Sequence, residues 1–225
     1  MTAASAKGLF RATGKMSRPT VRLLDGEYVR VDDSLEREAD DFYPTPPEPT
    51  RALLHAEIGR LRQFDRIWEP AAGDGAMVRE MQAIGLTVFA SDLVDRQCGA
   101  EIASFYDFDE APSKAIVTNP PFAECAWGRN KAAWLRHAHD VLCVEYMALL
   151  LNWSWPGAVG LGPFWANHPP ARVYLLRWKI DFTGQGSPPS YHAWFVWDVQ
   201  HVGEPVLRML NRSDARQSEL FRGAL

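Results

Sequence analysis

The residues best suited to chemistry are Thr118-Asn119-Pro120-Pro121-Phe122, which directly follow the apolar run 115–117. Because proline donates no backbone hydrogen bond and disfavours helical geometry in the residue before it, the pair predicts a stiff exit from a β-strand. The Asn119 amide oxygen and the Pro120 carbonyl can accept two hydrogen bonds from one amino group, and the Phe122 ring can stack on a planar base. An ordinary Asn-Pro turn beside a core phenylalanine is the alternative interpretation.

A second candidate site is the glycine loop 69–75, which reads Glu-Pro-Ala-Ala-Gly-Asp-Gly. It follows a predicted strand over 66–69 and precedes a predicted helix that ends near residue 84. Glycines at 73 and 75 allow a sharp turn and a close approach to a ligand, and the helix directs free N–H groups at the loop. A phosphate loop is disfavoured, because Gly-Lys-Ser/Thr is missing and Asp74 separates the glycines. Strand, loop and helix in this order indicate a nucleotide site in a doubly wound fold.

Together, the two stretches resemble the class I S-adenosylmethionine-dependent methyltransferases, specifically those that modify amino groups in DNA. The glycine loop precedes Asn-Pro-Pro-Phe, which resembles the order in the adenine-N6 group. The resemblance implies S-adenosylmethionine as the cofactor. It also implies that the catalytic residues are Asn119, Pro120, Pro121 and Phe122. No metal site is expected, since two hydrogen-bond acceptors and an activated methyl donor suffice for this reaction.

The same resemblance implies cofactor contacts at several strand ends and in the proline-rich segment 41–50. The Tyr-x-Thr-Pro sequence there resembles a motif that closes over the methionine end of the cofactor. Asp92, at the end of a predicted strand over 87–91, would accept both ribose hydroxyls, and Asp107 would accept the adenine amino group. Alternatively, the proline-rich segment is a rigid linker, Asp92 is a helix N-cap and Asp107 is a solvated loop charge. The implied cofactor-binding residues are Tyr43, Thr45, Pro46, Glu69, Pro70, Ala71, Gly73, Gly75, Asp92, Leu93, Asp107 and Asn119.

The expected partner is double-stranded DNA, with RNA as the alternative substrate. The net charge of −4 argues against a protein that coats nucleic acid through bulk electrostatics, so local contacts must hold the substrate. The candidate substrate-binding residues are Phe122, Arg129, Lys131, Trp153, Ser187, Tyr191 and His192. Because the chain leaves little room for a target-recognition domain, a short target site or low specificity is expected. Small enzymes of this pattern resemble the orphan methyltransferases of phages and prophages.

Other functions fit parts of the same pattern. Cytosine-N4 methylation of DNA and guanine-N2 or adenine-N6 methylation of ribosomal RNA are the enzymatic alternatives. A regulator that binds the cofactor without catalysis is the alternative from another class.

The predicted fold class is α/β, with a doubly wound, mostly parallel, seven-stranded sheet and a C-terminal antiparallel hairpin, which is Rossmann-like. The 225 residues, 47% of them hydrophobic, suit one such domain with additions. We expect a flexible N-terminal extension over 1–40, a methyltransferase domain over 41–200 and a C-terminal tail over 201–225. The tail is predicted to contain one helix, at 205–210.

The cysteine pattern and the hydropathy of the sequence indicate where in the cell the protein is expected. The three cysteines are scattered without Cys-x-x-Cys pairing, which favours a reducing, cytoplasmic compartment. No run approaches the roughly 18 apolar residues that a membrane span needs, so no membrane partner is expected.

Overall fold

The computed structural model describes residues 20–22, 28–30, 44–126, 131–184, 186, 188 and 190–217, the first two ranges by their backbone alone. By its contacts, the chain separates into residues 1–40 and residues 41–225. In the first unit, β1 (Thr20–Arg22) pairs antiparallel with β2 (Tyr28–Arg30). The predicted domain boundaries at residues 40 and 200 stay predictions. Within the described ranges, none of the helices is both long enough and apolar enough to cross a membrane.

The second unit alternates strands and helices along the chain. Its strands are β3 (Ile67–Glu69), β4 (Val88–Asp92), β5 (Glu101–Ile102), β6 (Ala115–Thr118), β7 (Tyr146–Asn152), β8 (Arg172–Leu176), β9 (His192–Asp198) and β10 (Val206–Leu210). Its α-helices are α1 (Pro47–Leu61), α2 (Ala76–Gln82), α3 (Phe122–Cys125), α4 (Ala133–Arg136), α5 (Gly162–Asn167) and α6 (Asp214–Gln217). Short 3₁₀ turns cover Phe105–Asp107, Trp155–Gly157 and Val159–Leu161, and a π-helical turn covers His137–Val141.

These strands form one eight-stranded sheet in the order β10-β8-β9-β7-β6-β3-β4-β5. Strand β9 runs antiparallel to both β7 and β8, and the other neighbours are parallel. The predicted mostly parallel sheet with an antiparallel hairpin is therefore confirmed. The predicted number of seven strands is wrong, because β10 adds an eighth.

Strand β10 also corrects the prediction of a helix at 205–210. The segment pairs with β8 through its backbone, and the amide of Val206 and the carbonyl of Leu210 extend that pairing to Ala171 and Arg177 at 3.0 and 2.9 Å. Only Leu210 of this strand is buried. A short, mostly exposed edge strand is stabilised by the neighbouring strand rather than by its own hydrophobic pattern, so its sequence carries little strand signal.

Helices cover both faces of the sheet. In the central strand β7, Tyr146, Ala148 and Leu150 belong to one core cluster, together with residues of α1, α2 and α6. The alternate residues Met147, Leu149 and Leu151 belong to a second cluster, with residues of α4, the π-helical turn and α5. Side chains alternate along a strand, so a strand buried on both faces reads as a continuous apolar run.

Helix α1 is fixed to the sheet at both of its ends. Near its C-terminus, the buried Glu57 accepts two hydrogen bonds of 2.8 Å from Arg172 of β8, and Arg172 also donates to Asp198 of β9 at 2.9 Å. Near its N-terminus, the indole of Trp194 donates to the Pro49 carbonyl at 3.0 Å. These contacts hold the proline-rich segment that precedes α1 in a defined place.

Candidate functional site

The candidate site lies at the edge of the sheet where the parallel strands end. Glu69, Asp92 and Thr118 are the last residues of β3, β4 and β6. In open α/β sheets, ligands bind outside the carboxyl ends of the strands. The Thr118 hydroxyl donates to Glu69 Oε1 at 2.5 Å, so the glycine loop after β3 and the Asn-Pro-Pro-Phe segment after β6 begin side by side.

The glycine loop needs glycine at both predicted positions. Gly73 and Gly75 have φ angles of 55° and 78°, in the left-handed region that favours glycine. A Cβ atom on Gly75 would lie 3.0 Å from the Cβ atom of Cys98, so Cys98 would have to move by a few tenths of an ångström to accommodate it. The amide of Gly73 donates to Asp92 Oδ2 at 2.7 Å and joins the loop to the end of β4.

Asp92 lies at the predicted strand end, and its carboxylate already accepts hydrogen bonds from within the protein. Its Oδ1 atom accepts hydrogen bonds from the Val94 amide at 2.9 Å and from Arg96 Nη1 at 3.0 Å. Arg96 is not among the residues expected from the sequence, where its only signal is a basic residue four positions after the acid. Leu93, one of the implied cofactor-binding residues, is 66% exposed and leaves an apolar surface beside Asp92.

Glu69 is buried at the junction of β3 and β6. Burial is the main cause that raises its pKa to about 8, and the charge of Asp92 adds to it, while hydrogen bonds from Thr118 and the Ala71 amide act in the opposite direction. Those two donors both reach Oε1, at 2.5 and 3.3 Å. Oε2 is buried and has no hydrogen-bond partner among the described residues. The raised pKa therefore favours the protonated carboxyl at neutral pH, with Oε2 as the position for the proton.

Asn119 meets the proline-rich segment across 74 residues of sequence. Its Nδ2 atom donates to the hydroxyl of the buried Thr45 at 3.1 Å. Its Oδ1 atom is buried and has no partner among the described residues. A buried acceptor without a partner is costly, and such groups are usually satisfied by a ligand or by water. The amide is thus held through its nitrogen and leaves its oxygen for another donor.

Phe122 lies beside the start of β9. It is 38% exposed, and its ring centroid is 6.2 Å from that of His192, with an interplanar angle of 27°. His192 pairs with Asn152 in the sheet, so the antiparallel direction of β9 brings its first residue to the strand-end edge. Phe182, which the sequence does not mark as a site residue, contacts the same imidazole edge-on, with ring centroids 5.2 Å apart. Burial lowers the pKa of His192 to about 4, so the ring is neutral at physiological pH.

Seven further predicted residues fall into three groups. Trp153 and Tyr191 are exposed neighbours at the same edge, and the Trp153 amide donates to the Tyr191 carbonyl at 2.9 Å. Lys131 is exposed, with a φ of 50°, and Asp107 accepts from the Ser104 amide at 3.0 Å in a local capping box. Three predicted site residues lie outside the described residues: Tyr43, Arg129 and Ser187.

The described part of the chain contains no group of three or more His, Cys, Asp and Glu side chains arranged to hold a metal ion. The polar groups that converge at the strand ends are amide, hydroxyl and single carboxyl groups. This donor set suits hydrogen bonding to an organic ligand.

Comparison with solved structures identifies the fold. A protein from Listeria monocytogenes assigned as a class I S-adenosylmethionine-dependent methyltransferase superposes with a TM-score of 0.52 at 13% identity, over 74% of this chain and 65% of its own. A Pyrococcus horikoshii protein assigned as an RNA methyltransferase gives 0.54 at 14% identity, over 71% of this chain and 88% of its own. The chain has the class I methyltransferase fold.

Part of a larger protein shares the same fold. The type IIG restriction endonuclease BpuSI superposes with a TM-score of 0.55 at 12% identity, over 84% of this chain and 30% of the endonuclease. The chain thus spans less than two thirds of both BpuSI and the Listeria protein. No protein-family model and no curated protein sequence matches this chain.

Proposed function

We propose that this protein transfers a methyl group from S-adenosylmethionine to the exocyclic N6 amine of adenine in DNA. The observation that carries the proposal is the buried Oδ1 atom of Asn119, which has no partner among the described residues and lies directly after the strand next to the glycine loop. An N–H or O–H donor would satisfy this oxygen, and the exocyclic amine of a base provides such a donor. The class I methyltransferase fold supports the same reaction.

The residues at the ends of β3 and β4 fit S-adenosylmethionine. Gly73 and Gly75 keep the loop open to a ligand, Asp92 offers carboxylate oxygens for the ribose hydroxyls, and the exposed Leu93 offers an apolar surface for the adenine ring. Thr45 and Pro46 lie before α1, where Thr45 touches Asn119. When bound, the cofactor supplies a methyl group activated by its sulfonium.

The chain itself contributes positioning to the reaction. An aromatic amine is a weak nucleophile, because its lone pair is delocalised into the ring. Two acceptors, Asn119 Oδ1 and the Pro120 carbonyl, would hold both amine hydrogens and favour the pyramidal form with its lone pair free. Phe122 would stack on the target base after the base leaves the duplex, an extrusion that costs a few kcal/mol. Holding the amine in this geometry can supply a large part of the catalytic effect.

The other proposed substrate contacts surround Phe122. His192 stacks beside the Phe122 ring. The side chains of Trp153, Tyr191 and Lys131 are exposed and would contact a nucleic-acid strand bound at this edge. Aromatic side chains stack on unpaired bases, and a cation contacts the phosphate backbone. Arg129 and Ser187 complete the proposed set.

Transfer of tritium from methyl-labelled S-adenosylmethionine tests the proposal. Pools of double-stranded DNA, ribosomal RNA and protein are incubated separately, and native-DNA sequencing of an expressing bacterial strain then distinguishes N6-methyladenine from N4-methylcytosine. Label in DNA at adenine is the expected result. Label in RNA alone would instead favour an RNA methyltransferase, and cofactor binding without label in any pool would favour a regulator.

Replacement of the amide tests the site itself. Asn119→Ala should abolish transfer and lower cofactor affinity only slightly, because the cradle at Asp92 and Gly73 is intact and only the hydrogen bond to Thr45 is lost. The control is Asn211→Ala, which removes an exposed amide that accepts a hydrogen bond from Arg177 after β10. Methylation by Asn119→Ala at the wild-type rate would contradict the assignment.

A further inference from the structure

We propose that Arg96 competes with the cofactor ribose for the Asp92 carboxylate and thereby sets how strongly this site selects a ribose diol. The inference rests on the proposed function, since it takes Asp92 as the ribose ligand. It concerns a residue that has no role in the chemistry itself. Arg96 is a specificity-determining residue in this view.

The geometry shows a carboxylate that is nearly saturated with donors. Oδ2 of Asp92 accepts from the Gly73 amide at 2.7 Å, and Oδ1 accepts from the Val94 amide at 2.9 Å and from Arg96 at 3.0 Å. A carboxylate has about four acceptor sites, so three donors leave room for one more. A ribose diol brings two hydroxyl donors to such a group.

Of the three donors, Arg96 is the one able to leave. The Gly73 and Val94 amides belong to the backbone next to the carboxylate, and moving them would unfold the glycine loop or the turn after β4. The guanidinium is at the end of a flexible side chain. The ion pair is largely withdrawn from water, since the Arg96 and Asp92 side chains are only 17% and 11% exposed, so it is stronger than a surface pair.

The competition affects only ligands that hydrogen-bond to Asp92. A nucleoside with both hydroxyls gains their hydrogen bonds but loses the contact between Arg96 and Oδ1. A 2′-deoxy nucleoside has a single hydroxyl, which fits the remaining acceptor site, and leaves the ion pair in place. Arg96 therefore reduces the advantage of the ribose over the deoxyribose ligand, and its removal should enlarge that advantage.

Binding measurements on the full chain test this inference without any turnover. Affinities for S-adenosylmethionine and its 2′-deoxy analogue are measured by titration calorimetry for the wild type and for Arg96→Met. We expect the ratio of the two affinities to rise by about three- to tenfold in the variant, the scale of one charge-assisted hydrogen bond. The ratio cancels any effect of the lost positive charge on binding of the cationic ligand, because both compounds carry the same charge.

Two further variants keep the result interpretable. Arg79→Met removes a cation from the same loop region, where Arg79 donates to the Asp74 carbonyl at 2.6 Å, and it should leave the ratio unchanged. Arg96→Lys keeps the charge but loses the planar guanidinium, and it should give an intermediate ratio. If Arg96→Met fails to fold, as judged by thermal unfolding, the lysine variant still tests the inference.

An unchanged or reduced ratio in Arg96→Met and Arg96→Lys, with tight binding of S-adenosylmethionine by the wild type, overturns the role of Arg96 and leaves the proposed function standing. Absence of S-adenosylmethionine binding by the wild type refutes the proposed function and this inference with it.

Discussion

Glu69→Gln should change how the stability of the protein depends on pH. The substitution keeps the size of the side chain and its Oε1 acceptor for Thr118 and the Ala71 amide, but it removes the ionisable group. In the wild type, Glu69 has its pKa raised from 4.5 to about 8, chiefly because the carboxyl is buried. Its Oε2 atom has no partner among the described residues that would stabilise a negative charge.

The sign and size of the effect follow from this pKa. Because the folded pKa is higher than the unfolded one, the unfolded chain loses its proton first as the pH rises. The contribution of protonated Glu69 to stability is complete below about pH 4.5 and is lost progressively up to about pH 8. At about 1.4 kcal/mol for each unit of pKa, the full loss is on the order of 5 kcal/mol.

Urea denaturation at a series of pH values between 5 and 9 measures this effect. The difference in unfolding free energy between Glu69→Gln and the wild type should move in favour of the glutamine variant by several kcal/mol as the pH rises, on the scale set by linkage. Groups that titrate in both proteins cancel in the difference. Glu110→Gln, which removes an exposed carboxyl, is the control. A difference that is constant across the range would refute the burial of a protonated Glu69.

Two other substitutions test how the site is held. Gly75→Ala should lower the free energy of unfolding by about 1–3 kcal/mol, because it forces a side chain into the left-handed region against Cys98. Gly59→Ala within α1 is the control, because a Cβ there meets nothing within 4 Å, and it should raise the free energy of unfolding by about 0.5–1 kcal/mol. Thermal unfolding of both variants checks this, and equal shifts would show that the loop tolerates a Cβ. Trp194→Phe removes the donor to the Pro49 carbonyl, so it should cost about 1–3 kcal/mol in urea denaturation and weaken S-adenosylmethionine binding by loosening the segment around Thr45. An unchanged affinity for S-adenosylmethionine in that variant would show that the segment around Thr45 does not contribute to cofactor binding.

The amino-acid sequence alone accounts for the local features of this protein. Paired prolines after an apolar run predict the exit from β6, and glycines 73 and 75 after another apolar run predict the turn after β3. Both features depend on backbone preferences within a few residues, which any fold must satisfy. The continuous apolar run in β7 likewise predicts a central strand, since both of its faces need cover.

Tertiary packing establishes which distant groups meet and which protonation states they favour. The contact of Thr45 with Asn119, the pairing of Arg96 with Asp92 and the protonation of Glu69 all depend on the packing of separate segments around the strand ends. Strand β10 belongs with them, because its main partner is the backbone of β8. A sequence pattern reports whether a side chain prefers water or the core, but a pKa or an ion pair depends on distances that exist only after the sheet has formed.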